Sequence, residues 1–168
     1  MKNIQDIVDL ASAYYGSCVL FAAIDCDIFA KIESGGFDAS ERGMRLLADA
    51  CVAEGLLEKK DGRYFNTPAS REALVPGGAR DLTKAIRYNR DVYPAWGKLA
   101  EFARTGKPVE SPEIHLGADE ARTKAFAAAM FARAMGIGRS GGKRWSGSPC
   151  SAISAKFMIW MPALRRWK

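Results

Sequence analysis

The segment from Cys18 to Ile32 constrains the fold more than any other part of the sequence. Only Asp25, Asp27 and Lys31 interrupt an otherwise apolar or small-residue run, so a helix formed here has almost no polar face. Such a helix is buried on more than one side. The chain has 168 residues, enough for one domain with a core, and we therefore predict that this helix packs against its own domain and against a second subunit.

Helical patterns flank this segment. Ile4 to Ala13 carries an apolar stripe, and we predict that the chain breaks at Gly16 and that Ser17 caps the next helix. Met44 to Glu54 repeats apolar residues at helical spacing, and Gly55 is predicted to end that helix in a left-handed conformation.

A hairpin is predicted directly after this helix. Two short strand-like runs, Leu56 to Lys60 and Arg63 to Thr67, flank Asp61-Gly62, which is a strong signal for a two-residue turn. A helix, a glycine and a hairpin in this order are typical of the end of a winged-helix unit.

The rest of the compact region is predicted to be helical, which gives a mainly α fold with one short β-hairpin. The predicted segments are a short helix opened by Thr67-Pro68, a helix from Asp81 to Tyr93 interrupted by Pro94, a stripe from Trp96 to Phe102, a loop over residues 108–117, and an alanine-rich helix capped by Asp119 and reaching Ile137.

The net charge of +6 does not indicate a nucleic-acid-binding face, because the excess basic residues lie outside the compact region. Seven of the 25 basic residues lie in residues 139–168, which contain no acid, so residues 1–138 carry a net charge of −1. A phosphate-binding winged helix would carry its excess charge on the reading helix and the wing. Nucleic acid is therefore an improbable partner for the compact region.

Other classes of protein are also disfavoured. The four cysteines are scattered and the sequence has one histidine, so the spacing of a metal site is missing. No run approaches about 18 uninterrupted apolar residues, and the first residues lack the pattern of a signal peptide. We expect a cytoplasmic protein without a membrane span or a bound metal.

The order of these features resembles the N-terminal domain of S-adenosylmethionine-dependent O-methyltransferases of the plant phenolic and hydroxyneurosporene type. The resemblance spans about residues 4–139, and no single motif in it is diagnostic. The matching residues are Tyr15-Gly16-Ser17, Leu20 to Ile24, Ile28-Phe29, Arg42 to Leu47, Gly55-Leu56-Leu57, Tyr64, Thr67-Pro68, Trp96, Leu99, Gly106, Pro108, Phe126, Ala129-Met130, Arg133 and Ile137.

This resemblance implies a winged-helix-like domain used for dimerisation and as a cap over the substrate. It implies that Phe126 and Met130 look toward the acceptor pocket, although packing in the core at i, i+4 spacing is an equally good interpretation of these two residues. Trp96 is interpreted as a structural anchor. The implied homodimer interface lies on the Cys18–Ile32 helix and consists of Val19, Leu20, Phe21, Ile24 and Ile28.

The sequence departs from the family in two places. Only nine residues separate Ile32 from Arg42, too few for the leading helix of a helix-turn-helix and its turn. After the long helix, the Rossmann-like cofactor domain and its histidine base are not present in the sequence. Residues 136–141 fit G-x-G-x-x-G, but they follow a helix rather than a strand, so we interpret them as a helix end and linker.

We therefore divide the chain into a dimerisation and substrate-cap domain at residues 1–139 and an unmatched basic tail at residues 140–168, disordered or read from an altered frame. The family uses S-adenosylmethionine, and we expect this chain alone to bind none and to be inactive. No catalytic, cofactor-binding or metal-binding residue is assigned. His115 is interpreted as a loop histidine, and Asp25 and Asp27, at i, i+2, as solvated or capping residues.

Two alternatives stay open. One is a winged-helix DNA-binding regulator, which is disfavoured by the missing helix and by Asp49 standing four residues after Arg45 on the would-be reading helix. The other is an intact methyltransferase in which a separate chain supplies the cofactor domain.

Overall fold

The computed structural model describes residues 3–78, 80–110 and 119–138. Within these ranges the chain forms eight α-helices and one antiparallel hairpin, which confirms the mainly α prediction. The elements are α1 (Ile4–Ser12), α2 (Tyr14–Asp25), α3 (Ile28–Glu33), α4 (Arg42–Ala53), β1 (Leu57–Lys60), β2 (Arg63–Asn66), α5 (Pro68–Leu74), α6 (Thr83–Trp96), α7 (Leu99–Thr105) and α8 (Glu120–Gly138).

The main core lies between α2, α3, α4, the hairpin and α5. Phe29 and Ile28 on α3 and Cys51 on α4 are the largest side chains that are completely enclosed. Burial in apolar surroundings raises the pKa of the Cys51 thiol to about 11, so this cysteine acts as a small apolar side chain. The other buried members of this core are Ala23, Ile24, Ala48, Leu57, Tyr64 and Leu74.

The end of α4 and the hairpin follow the sequence prediction. Gly55 has a φ of 70°, and the amide of Leu56 donates to the carbonyl of Cys51 at 2.8 Å, which closes a Schellman motif. Lys60 pairs with Arg63 across a two-residue turn. Both turn residues, Asp61 and Gly62, have positive φ, as a type I′ turn requires.

The predicted helix boundaries around Gly16 and Asp27 were wrong. Helix α2 begins at Tyr14 and runs through Gly16 and Ser17, so Ser17 does not cap it. A Cβ at Gly16 would lie 2.8 Å from a carboxylate oxygen of Glu54, so a larger residue there would displace the exposed Glu54 side chain. The single helix predicted from Cys18 to Ile32 is instead broken by Asp27, whose left-handed φ of 54° an aspartate tolerates better than most residues.

The break predicted at Pro94 is also absent. Helix α6 continues through Pro94 to Trp96. The proline stands in the last turn, where its missing N–H removes only one of the final hydrogen bonds of the helix. Trp96, which was expected to be a structural anchor, is 41% exposed.

The connections and the last helix agree with expectation. Residues 34–41 join α3 to α4 without a helix, as the shortness of this segment predicts. Asp119 accepts a hydrogen bond from the Arg122 amide at 3.0 Å and so caps α8 as predicted. His115 and the predicted tail at residues 140–168 lie outside the described residues.

Candidate dimerisation surface

The first two helices present large apolar side chains to solvent. Helix α1 has no buried residue, and Ile4 is 81% and Ile7 57% exposed. The rings of Tyr14 and Tyr15, at the start of α2, are also exposed and meet edge to face with their centroids 4.5 Å apart. We call this surface the outer face, and its members are Ile4, Ile7, Val8, Leu10, Tyr14 and Tyr15.

The five interface residues expected from sequence divide into two groups. Val19, Leu20 and Phe21 are half-buried, and the Phe21 ring contacts the Tyr93 ring of α6 edge to face at 6.0 Å. The side chains that line the core are Ile24, 3% exposed, and Ile28, 0% exposed.

The α1 residues and the two tyrosines were not predicted from the sequence to belong to this surface. The apolar stripe of α1 was the sequence signal that could have identified these residues. A helix with one apolar stripe has to cover that stripe with another element. Among the described residues no element packs extensively against α1.

Two arginines of α6 fix the end of α2. The Arg87 guanidinium donates to the Ile24 carbonyl at 3.3 Å and to Asp27 at 3.0 Å, and Arg90 pairs with Asp25. The hydrogen bond from Arg90 to Asp25 raises the pKa of the guanidinium. Asp25 and Asp27 are therefore exposed but ion-paired, and they help to hold α2 and α6 in a fixed relation.

The hairpin is tied to α4 through Asp49. One carboxylate oxygen accepts from the Lys59 ammonium at 2.7 Å and from the Tyr64 hydroxyl at 2.8 Å. The hydrogen bond from Lys59 and then that from Tyr64 lower the pKa of Asp49. Asp49 thus bonds to the hairpin, whereas the Arg45 guanidinium donates to the Ala39 carbonyl at 3.4 Å. The Lys59 ammonium of the hairpin is therefore paired within the protein.

A second tie joins the hairpin to α3. The buried Asn66 amide nitrogen donates to the Phe29 carbonyl at 2.9 Å and to Glu33 at 3.0 Å, and Arg71 of α5 pairs with the same carboxylate at 2.9 Å. The bonds from Asn66 and then Arg71 lower the pKa of Glu33. These contacts hold α3, the hairpin and α5 together.

The two residues expected to cap a substrate lie beside α6. The Phe126 ring of α8 packs against Tyr88 with ring centroids 5.4 Å apart, and both Phe126 and Met130 are half-buried. On the other side of the same helix, Phe131 is 68% exposed and Met135 is also exposed. Helix α8 therefore packs on α6 and leaves an apolar surface uncovered.

The first two helices also satisfy a test for a membrane span. Residues Ile4–Asp25 form a helical stretch of 22 residues with a mean hydropathy of 1.6, long and apolar enough to cross a bilayer by length and composition only. The mostly buried core helix of a soluble protein and an N-terminal signal sequence pass the same test, so this stretch is weak evidence for a membrane.

The cavity between α2, α3, α5 and α6 does not fit a cofactor of the size of S-adenosylmethionine. A cavity lined by residues of α2, α3, α5 and α6 has a volume of only about 10 Å³, too small for an organic ligand. In the described ranges the only sheet is the hairpin, so a glycine-rich turn between a parallel strand and a helix is not found there. Nor does the described part bring three or more metal-ligating side chains together.

This architecture defines a class of protein: a winged-helix-like α domain whose first helix is left uncovered by the described residues. Residues 8–76 match the family model of the O-methyltransferase dimerisation domain. This part of the chain is therefore an O-methyltransferase dimerisation domain, as the ordered residues of the sequence indicated.

Similar proteins cover most of this chain. A 3-hydroxy-5-methyl-1-naphthoate 3-O-methyltransferase of Streptomyces sahachiroi is 33% identical over 138 residues, which are 74% of this chain and 40% of the relative. Acetylserotonin O-methyltransferase of Mus musculus is 30% identical over 74% of this chain and 36% of its own length.

A solved structure agrees with these relatives. Human N-acetylserotonin methyltransferase in complex with SAM superposes with a TM-score of 0.66 at 27% identity, covering 83% of this chain and 48% of that one. The chain thus spans less than half the length of the relatives that it matches.

Proposed function

We propose that this chain forms a homodimer and serves as the dimerisation and substrate-cap domain of a small-molecule, S-adenosylmethionine-dependent O-methyltransferase. The observation that carries the proposal is the outer face, where six large apolar side chains of α1 and α2 are exposed in the single chain. Covering such a patch with a second copy removes apolar surface from water, which favours association.

In this proposal α2 supplies the first contact helix. Tyr14 and Tyr15 are its exposed aromatic residues, and Val19, Leu20 and Phe21 are half-exposed residues further along it. Ile24 and Ile28 support the helix from the core side. Aromatic side chains of this kind are enriched where protein surfaces associate.

The test is the oligomeric state of variants. Phe21→Glu places a charge in the proposed contact and should give a monomer in size-exclusion chromatography with light scattering. Because Phe21 also contacts Tyr93, Tyr15→Glu at an exposed position is the second variant. The matched control is Phe131→Glu on α8, which should remain dimeric. A wild-type chain that is monomeric at micromolar concentration contradicts the proposal, and so does a Tyr15→Glu variant that is folded and still fully dimeric.

Phe126 and Met130 are proposed to contact the methyl acceptor in the assembled enzyme. Their half-buried side chains next to Tyr88 support this role, since the exposed parts give an aromatic acceptor an apolar surface to pack on. Titration of the chain with a naphthol should shift the Met130 methyl resonance more than that of Met44, which packs against the main core. Equal shifts at both methionines would count against the cap.

A cofactor domain is proposed to pack on the outward face of α8, where Phe131 and Met135 are exposed. A separate chain supplying that domain should co-purify with the wild-type protein and be lost from a Phe131→Ser/Met135→Ser variant. By itself the chain is proposed to bind no S-adenosylmethionine, and the small volume of the cavity between α2, α3, α5 and α6 supports this. Calorimetry with S-adenosylmethionine should show no binding heat, and a saturable signal would contradict this.

A cytoplasmic location is proposed, with the outer face covered by protein rather than lipid. Three aspartates within residues 4–25, Asp6, Asp9 and Asp25, support this choice, because charged residues inside a bilayer are costly. The chain should remain in the high-speed supernatant of lysed cells and should not float with phosphatidylcholine vesicles.

A further inference from the structure

One arginine of α8 is half-buried and makes no side-chain contact with an acceptor. Among the described residues, neither an ion pair nor a side-chain hydrogen bond engages Arg122. The other half-buried arginines of α6 and α8 are both engaged, since Arg90 pairs with Asp25 and Arg133 donates to Asn89 at 2.9 Å. A guanidinium that is partly withdrawn from water needs acceptors to replace its lost hydration. The donors of Arg122 are therefore available to a ligand.

Arg122 stands in line with the two residues proposed to contact the methyl acceptor. Arg122, Phe126 and Met130 follow one another at i, i+4 and i+8, a spacing that places side chains in one row along a helix. All three side chains are half-buried. The row is about 12 Å long at 1.5 Å per residue, with a positive charge at one end and apolar surface over the rest.

Tyr88 of α6 relates the guanidinium to this row. Its ring packs against Phe126 with ring centroids 5.4 Å apart. Burial raises the pKa of the Tyr88 hydroxyl, and the positive charge of Arg122 opposes that rise more than any other charge does. The charge of Arg133 acts in the same direction as that of Arg122, whereas the Glu110 carboxylate acts against both. Positive charge therefore exceeds negative charge among the described groups that act on Tyr88.

We propose that Arg122 binds a carboxylate of the methyl acceptor and so selects acidic aromatic acceptors. This inference rests on the proposed substrate cap and names the class of acceptor that the cap takes, an aromatic ring that carries both a hydroxyl group and a carboxylate. The ring packs on Phe126 and Met130. The carboxylate accepts hydrogen bonds from the planar guanidinium of Arg122, whose geometry matches the two carboxylate oxygens.

A carboxylate fits this place better than a phosphate does. The Glu110 carboxylate acts on the same Tyr88 hydroxyl as Arg122, so a ligand at this end of the row meets one negative charge as well as the guanidinium. Repulsion by a neighbouring acid grows with the charge of the ligand, which disfavours a doubly charged group more than a singly charged one. Arg122 is thus a specificity-determining residue for singly charged acceptors.

The experiment measures the affinity of the full chain for two ring compounds that differ only in the carboxylate. We titrate 6-hydroxy-2-naphthoate and 2-naphthol separately, and the shift of the Met130 methyl resonance gives a dissociation constant for each. The naphthoate should bind about fivefold more tightly, which is the gain expected from one partly exposed ion pair. Acetate, which has the carboxylate without the ring, should leave the Met130 resonance in place.

Three variants assign this preference to one side chain. Arg122→Gln should weaken binding of the naphthoate about fivefold and leave binding of 2-naphthol unchanged. Arg122→Lys should keep part of the preference, because the charge remains and the planar fork is lost. Lys124→Gln is the matched control, since it removes a positive charge from the same helix at a side chain that is 75% exposed, and it should keep the wild-type preference. An unchanged Met44 resonance shows that each variant retains the main core.

The outcomes separate this inference from the cap on which it rests. If both compounds shift Met130 more than Met44 but bind equally well, the role of Arg122 is overturned and the cap stands. The same holds if Arg122→Gln keeps the wild-type preference, or if Lys124→Gln loses as much of it as Arg122→Gln does. If neither compound shifts Met130 more than Met44, the cap and the inference fail together.

Discussion

Two regions of this chain are stabilised in opposite ways. From α3 to α5, the side chains of Ile28, Phe29 and Cys51 are fully enclosed, and Asn66 joins the hairpin to α3. In α1 none of the residues is buried, and its apolar stripe is open to solvent. The first region has the properties of a completed core, whereas the second has the properties of half an interface. The difference supports the proposed place of the dimerisation surface more directly than the total apolar content of α2 does.

The largest expected effect comes from the same substitution made in both regions. Ile28→Ala deletes a fully enclosed side chain and should lower the free energy of unfolding by about 2–5 kcal/mol. Ile7→Ala deletes the same atoms from an exposed position and should change the stability of the dilute, monomeric chain by about 0.5 kcal/mol or less. Urea denaturation followed by circular dichroism measures both, and similar losses in the two variants would remove the distinction between the regions.

Sequence reasoning succeeded where a local rule decides the structure. The turn at Asp61-Gly62, the cap at Gly55 and the N-terminal cap at Asp119 each depend on the φ preference or the short polar side chain of one or two residues. The resemblance to the family rests on an ordered set of matching residues, and Gly55 is one of them.

Prediction from the sequence failed where contacts between residues far apart in the chain decide the structure. Gly16 looks like a break, but it is the point where α2 passes Glu54 of α4. The break at Asp27 coincides with contacts to Arg87, 60 positions later in the chain. For the same reason the inward-facing side of this apolar segment could not be assigned from sequence. Ile24 and Ile28, which were predicted for the interface, line the core of the described chain.

The next effect in size compares a polar contact of the core region with a polar contact outside it. Asn66→Ala removes both hydrogen bonds donated by a buried amide and should lower the free energy of unfolding by about 1–3 kcal/mol. We expect a value in the lower part of that range, because the substitution also removes an amide oxygen that is buried without a partner. Asn89 accepts from Arg133 at 2.9 Å on the exposed side of the α6–α8 pair.

Asn89→Ala is therefore the matched control, and its cost should be about 0.5 kcal/mol or less. Both variants are measured by urea denaturation at neutral pH. A larger loss in Asn89→Ala than in Asn66→Ala would show that α8, and not the hairpin, holds the more rigid part of the chain.

The smallest effect is a dependence on pH that belongs to the core region. The pKa of Glu33 is lowered in the folded chain by the bonds from Asn66 and Arg71, so folding favours its charged form. A carboxyl group of this kind stabilises the fold at pH values above its ordinary pKa of 4.5, and this contribution is lost as the pH falls through the lowered folded value. Wild-type stability should therefore be steady near pH 7 and should decline below about pH 5.

Glu33→Gln tests the origin of this decline, because glutamine retains an acceptor for Asn66 but cannot titrate. The difference in stability between wild type and variant should be greatest near pH 7 and should shrink toward pH 3, when denaturation curves are recorded at each pH. Glu41→Gln, at an exposed position that makes no capping bond to α4, should follow the wild-type profile and serves as the control. Since Asp49 contributes to the decline in the same sense, Glu33→Gln should flatten the profile without abolishing its slope. A profile of Glu33→Gln parallel to wild type would mean that the tie between α3, the hairpin and α5 does not depend on the charge of Glu33.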